Sequence, residues 1–84
     1  MTMTRILYFG RVGEKLGPEG YLELPTEGLT VREVRQRLAG KDEITADTLM
    51  RSDVRASIDL VVAGEDAVAR QGQEIAFFSI FSGG

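Results

Sequence analysis

Two uncharged apolar runs stand at opposite ends of the sequence, Ile6-Leu7-Tyr8-Phe9 and Ile75-Ala76-Phe77-Phe78. Short runs rich in β-branched and aromatic residues, with no charge inside them, read as strands covered on both faces. A chain of 84 residues can bury only one modest core. Both runs are therefore expected side by side at the centre of a single sheet. The end of the chain then leaves from the best-anchored strand of that sheet.

The elements between them fit this plan. Strand one, residues 4–9, is followed by a helical turn over 11–16 that carries Val12 and Leu16 on one face. The turn Gly17-Pro18-Glu19-Gly20 leads into a second strand at 21–24, expected to pair antiparallel with the first. Thr30 and Glu33 have capping-box spacing, and Val31, Val34 and Leu38 then share one helical face. This predicts an amphipathic helix over Val31–Ala39, ended by a left-handed Gly40, with Arg32, Arg35 and Arg37 on a solvated face. Residues 41–54 read as a helical or irregular excursion anchored by Ile44, Leu49 and Met50. Residues 57–63 read as a strand, 67–69 as a short edge strand and 74–78 as the last strand. Phe77 with Ile75 is expected to face the core. Two strands, a main helix and further strands make an α+β domain, one main helix packed across a mixed sheet. With no repeat or linker, residues 1–84 form one domain, ending in a flexible tail at 79–84.

What is missing narrows the chemistry. There is no Cys and no His, which removes thiolate nucleophiles, the usual general base and the commonest metal ligands. No bound cofactor or metal is expected. The net charge of −3 argues against nucleic acid, and Gly10-Arg11-Val12-Gly13 reads as a turn rather than an RNA clamp. No apolar run approaches the ~20 residues of a membrane span. The start lacks the basic and apolar regions of a signal peptide, so the expected location is the cytoplasm.

The chain ends Phe78-Ser79-Ile80-Phe81-Ser82-Gly83-Gly84. Glycine has no Cβ, so a Gly-Gly segment can enter a channel that a side chain would block. The terminal carboxylate is a poor electrophile, but an acyl-adenylate made from it has a good leaving group. Gly84 is thus the candidate for a carrier of a transferable atom or a covalent bond, and Gly83 keeps the approach thin. Phe78, Ile80, Phe81 and Ser82 are candidate partner contacts, because apolar side chains beyond a strand mark interfaces.

The β-β-α-β-β order with its Gly-Gly end resembles the ubiquitin-like β-grasp sulfur carriers, closest to the small subunit of molybdopterin synthase (the MoaD type). The resemblance runs nearly end to end. It includes Leu7-Tyr8-Phe9-Gly10-Arg11-Val12, Glu14 and Gly17, then Thr30-Val31-Arg32-Glu33 and Leu38. It closes with Gly72, Glu74-Ile75-Ala76-Phe77-Phe78 and Gly83-Gly84. It implies a β-grasp fold whose Gly84 is adenylated by an ATP-dependent activating enzyme and converted to a thiocarboxylate by a persulfide donor. The loaded tail would enter the large catalytic subunit of the synthase, in an assembly of two small and two large subunits. Its sulfur would pass there to cyclic pyranopterin monophosphate, on the route to the molybdenum cofactor. The carrier itself would be no enzyme and would bind no cofactor, the ATP being consumed by the activating enzyme.

The chain departs from this family in three places. Ser79-Ile80-Phe81-Ser82 stands where a Pro-Pro pair and a small apolar residue are usual, Asp59 where an Asn is common, and Gln71-Gly72-Gln73 where an Asp-Gly-Asp turn is common. Without prolines the free tail is expected to be more mobile. The alternatives are a sulfur carrier of another pathway (thiamine or amino-acid synthesis), a ubiquitin-like modifier conjugated to lysines, or a β-grasp interaction module. The insertion between Gly10 and Gly17 argues against a thiamine carrier.

Overall fold

The computed structural model describes residues 3–80. The chain runs β1 (Met3–Tyr8), α1 (Gly10–Leu16), β2 (Glu19–Glu23), β3 (Leu29–Thr30), α2 (Val31–Ala39), α3 (Glu43–Leu49), β4 (Val54–Ile58), β5 (Val61–Ala63), β6 (Val68–Ala69) and β7 (Ile75–Ser79). Five strands form one sheet in the order β2-β1-β7-β4-β5, and β3 pairs with β6 apart from it. β1 and β7 lie parallel, with Ile6 opposite Ile75 and Tyr8 opposite Phe77. β1 pairs antiparallel with β2, and β4 with both β5 and β7. The first and last strands are neighbours at the sheet centre, as their uncharged sequences require.

The core lies on one face of this sheet. Ile6, Ile75 and Phe77 are fully buried there, clustered with Val12 of α1 and Val31, Val34 and Leu38 of α2. The Thr30 hydroxyl accepts from the Glu33 amide and the Glu33 carboxylate accepts from the Thr30 amide, so both halves of the capping box form. That cap fixes the start of α2 and turns its apolar stripe onto the sheet.

Alternation along a strand sends Leu7 and Phe78 to the opposite face, where both are only half-buried. Ala76, on that same face, is buried, so the cover on both faces expected from the uncharged runs is complete on the helical face and only partial on the other. Phe9 leaves the strand and stands at the N-cap of α1.

Four local expectations are corrected. Residues 57–63 are not one strand: β4 and β5 form a hairpin that turns at Asp59 and Leu60, both at positive φ. No glycine marks that turn, so the sequence reads straight through it. Gly40 is right-handed, at φ −70°, because Lys41 N–H closes onto Leu38 O and the chain tightens directly into the Asp42 cap of α3. Arg35 is buried rather than solvated. Leu49 anchors α3 as expected, but Ile44 and Met50 are exposed, since α3 presents only its Thr48–Leu49 side inward. Among the described residues no helix is long and apolar enough to cross a membrane.

Candidate functional site

β7 is the last strand in the sequence and lies at the centre of the five-stranded sheet. It is flanked by β1 on one side and β4 on the other. The parallel ladder to β1 continues as Phe9 N–H donates to Phe77 O at 3.0 Å. On the other side the antiparallel register runs from Ile58 opposite Ile75 to Val54 opposite Ser79. The strand extends one residue beyond the Phe78 expected from sequence, and Ser79 is part of it.

Around the end of β7 a polar cluster replaces the apolar core. Asp53, in the turn before β4, is buried and accepts from Ser79 Oγ at 2.6 Å and from Arg51 Nε at 3.0 Å. Its carbonyl accepts from Ile80 N–H at 2.9 Å. The Ser79 hydroxyl, and after it Arg51, hold the Asp53 carboxyl below its usual range, against the opposing effect of burial. A groove of about 650 Å³ opens beside this cluster, lined by Arg11 and Lys15 of α1, Ile44 and Asp47 of α3, and Asp53 and Ser79. Its charges are of both signs, so it makes no single-sign field for a partner.

The candidate contacts from sequence separate here. Phe78 lies on the open face of the sheet, opposite Arg55 of β4, and Ile80 is 50% exposed beyond the strand. Phe78 belongs to β7, whereas Ile80 lies past its last residue, Ser79, so strand alternation does not fix the two side chains relative to one another. Phe81, Ser82, Gly83 and Gly84 lie outside the described residues. Asp53 was not singled out from sequence. Its contact with Ser79 joins positions 26 apart, and no local motif announces it.

A mixed sheet with parallel first and last strands at its centre and a capped helix across one face define a ubiquitin-like β-grasp domain. The chain belongs to the ThiS family, whose sequence model matches residues 6–84. No curated protein sequence matches it. Among solved structures it is similar to SAMP1 from Haloferax volcanii, at 18% identity and a TM-score of 0.76 over 99% of this chain and 100% of that one. It is also similar to a Pyrococcus furiosus protein named as molybdopterin converting factor, subunit 1, at 19% identity and a TM-score of 0.72 over 94% and 98% of the two chains. A third similar structure, the HVO 2177 protein of Haloferax volcanii, has 17% identity and a TM-score of 0.74 over 99% and 87%. The resemblance to the ubiquitin-like β-grasp sulfur carriers is borne out in family and fold.

Proposed function

We propose that this protein is the sulfur carrier of molybdopterin synthesis, with Gly84 as the carrying residue. The observation that supports it most is the central place of β7, the strand that precedes the Gly-Gly end in the sequence. A family match that runs through Gly84 is joined to a last strand, β7, at the sheet centre, fixed by ladders on both sides. A rigid base aims a thin Gly-Gly end into another protein's active site without lending that site any side chain of its own. Similarity to the Pyrococcus furiosus protein favours the molybdopterin branch.

In this reading the Gly84 carboxylate attacks the α-phosphorus of ATP in the activating enzyme and pyrophosphate leaves. The outer sulfur of a persulfide donor then displaces AMP to give an acyl disulfide. A second thiol of the donor attacks the donor's own sulfur, breaking the S–S bond, forming a disulfide on the donor and releasing the Gly84 thiocarboxylate. The loaded chain docks on the large synthase subunit, in a two-plus-two assembly, and its sulfur passes to cyclic pyranopterin monophosphate. Phe78 and Ile80 contribute apolar contact to these partners, with Phe81 and Ser82 following into the channel. In this reading the protein works in the cytoplasm.

A second reading is a ubiquitin-like modifier that joins the same activated terminus to lysine amines, and the similarity to SAMP1 favours it. One experiment separates the readings: intact mass of the chain after incubation with ATP, the activating enzyme and a sulfide source. The expected result is a gain equal to sulfur in place of oxygen, abolished when Gly84 is deleted. Adducts on protein lysines without that gain would favour the modifier. No change with an enzyme of proven activity would overturn both and leave a β-grasp interaction module.

A further inference from the structure

The last two described residues are gripped by a single residue of the opposing strand's approach. Asp53 is 6% exposed and uses both its side chain and its main chain. The carboxylate accepts from Ser79 Oγ at 2.6 Å, and the carbonyl accepts from Ile80 N–H at 2.9 Å. Because β4 and β7 pair Val54 with Ser79, Asp53 falls opposite Ile80 and carries the ladder one step further. The turn that presents it is itself tied, by Val54 N–H to Arg51 O at 3.1 Å and Arg51 Nε to the Asp53 carboxylate.

Burial cannot be what holds Ile80 in place, since half of it is exposed. Hydrogen bonds to Asp53 fix this end of the strand instead. If that grip were lost, the last full pair would be Arg55 with Phe78. Ser79 and Ile80 would then come away from the ladder, two residues that span about 7 Å at full extension. Four residues follow Ile80 in the sequence, a reach of about 14 Å, so the change is a large fraction of the whole.

We propose that Asp53 is a positioning residue for the terminal carboxylate, setting the point at which the chain leaves the sheet and so the reach of Gly84 into a partner's active site. The release point stands on the geometry alone, whereas its use in delivering Gly84 rests on the carrier reading. A partner that accepts the terminus at a fixed depth depends on that reach, because a longer and looser tether lowers the effective concentration of its end.

The test measures two things in the full chain and in the variants Asp53→Ala, Asp53→Asn and Ser79→Ala. Amide hydrogen exchange is followed at Ile80 and at Ile75 and Phe77. KM and kcat are measured for ATP-dependent adenylation of the chain by its activating enzyme. Asp53→Ala keeps the carbonyl that accepts from Ile80 N–H but removes the carboxylate that holds Ser79 and ties the turn to Arg51. It is expected to speed exchange at Ile80 by about tenfold while Ile75 and Phe77 stay within about twofold. KM for the chain should rise by about tenfold with kcat nearly unchanged, because reach is altered and chemistry is not. Asp53→Asn keeps an acceptor for Ser79 and should recover most of both effects. Should Asp53→Ala fail to fold, Ser79→Ala gives the same pair of readouts.

Unchanged exchange at Ile80 in Asp53→Ala and Ser79→Ala would overturn the proposal. Exchange rising equally at Phe77 would also overturn it, since Asp53 would then serve the stability of the whole sheet. An unchanged KM beside faster Ile80 exchange would overturn the positioning role. Failure of the unaltered chain to be adenylated counts instead against the carrier reading, and the exchange result then decides the release point by itself.

Discussion

The guanidinium carbon of Arg35 lies 5.2 Å from the centre of the Phe77 ring, so a buried cation on α2 covers the aromatic residue at the middle of the central strand. The same side chain donates to both carboxylate oxygens of Glu65, at 3.2 and 2.7 Å, and to the carbonyl of Leu49 at 2.5 Å. One residue thereby ties α2 to the sheet, to the loop after β5 and to the end of α3. The planar fork of arginine makes these contacts possible together; the point charge of lysine would not.

Removing Arg35 should therefore be costly despite its place on a helix face that reads as polar. Arg35→Ala leaves Leu49 O without this donor and uncovers Phe77, and should destabilise the protein by about 2–3 kcal/mol. Glu65 is 41% exposed and recovers water, which keeps the figure from rising further. Arg35→Lys should recover less than half of the loss. Urea midpoints, at an unchanged slope, would show this; an effect below about 0.5 kcal/mol for Arg35→Ala would contradict it.

Two glycines with nearly equal backbone angles should respond differently to the same substitution. Gly28 and Gly72 have φ of +84° and +85°. A Cβ on Gly28 would lie 2.6 Å from Ala69 O, a backbone atom of β6, whereas one on Gly72 meets nothing within 4 Å. Gly72→Ala should cost about 1 kcal/mol, the left-handed strain alone. Gly28→Ala should cost at least about 2 kcal/mol, because the β3–β6 pair must also shift. Thermal unfolding of the two variants decides it, and equal losses would mean that β6 yields freely.

The sequence made the sheet centre and α2 readable for a physical reason. The uncharged runs at residues 6–9 and 75–78 and the Thr30–Glu33 box are local patterns tied to local causes. The features it hid depend on distant partners or on unfavourable backbone. Arg35 is buried only because Glu65 and Leu49 come to it. The Asp59-Leu60 turn carries no turn glycine. Asp53 gains meaning only when Ser79 lies beside it. The candidate site was half readable: the strand that leads to the tail could be named, but the residue that fixes its end could not.

Leu60 stands at φ +70° and is 78% exposed, an apolar residue in a conformation it does not favour. With Asp59 at +51°, the pair has the two left-handed central residues of a type I′ hairpin, where glycine suits the second position. Leu60→Gly should stabilise the protein by about 1 kcal/mol, since no buried contact is lost and the strain is relieved. A rise in the thermal midpoint is the expected reading. A fall would show that Leu60 makes contacts that outweigh its strain.

Acid should weaken the fold through its capping and strand-end carboxylates. The Glu33 carboxyl is held low by the Thr30 amide and hydroxyl, that of Asp42 by the Thr45 amide, and that of Asp53 by Ser79 and then Arg51. Each has a lower pKa folded than unfolded, so its contribution is fully present above the unfolded values of about 3.9 for Asp and 4.3 for Glu. It is lost as pH falls through the lower folded values. Urea midpoints should thus be level near neutrality and drop below about pH 4. Glu33→Gln and Asp42→Asn should each make that drop shallower; an unchanged drop in both would assign it to other groups.

Asp59, in the β4–β5 hairpin, and Gln73, in the turn before β7, meet through their side chains. Gln73 Nε2 donates to Asp59 Oδ2 at 3.1 Å, while Asp59 Oδ1 accepts from the Glu74 amide at 2.9 Å. Gln73 cannot turn its amide over freely, because its Oε1 accepts from Arg70 N–H at 2.7 Å. Asp59→Asn alone keeps the bond from Glu74 but sets an NH2 against the NH2 of Gln73, and should cost about 1 kcal/mol. Gln73→Glu alone sets two carboxylates together and should cost a similar amount. The double variant restores a donor facing an acceptor with the roles exchanged, so it should be less destabilised than the two losses added. A coupling of about 0.5–1 kcal/mol in the double-mutant cycle is expected. Strict additivity would show that water, rather than either side chain, meets the polar atoms of this turn.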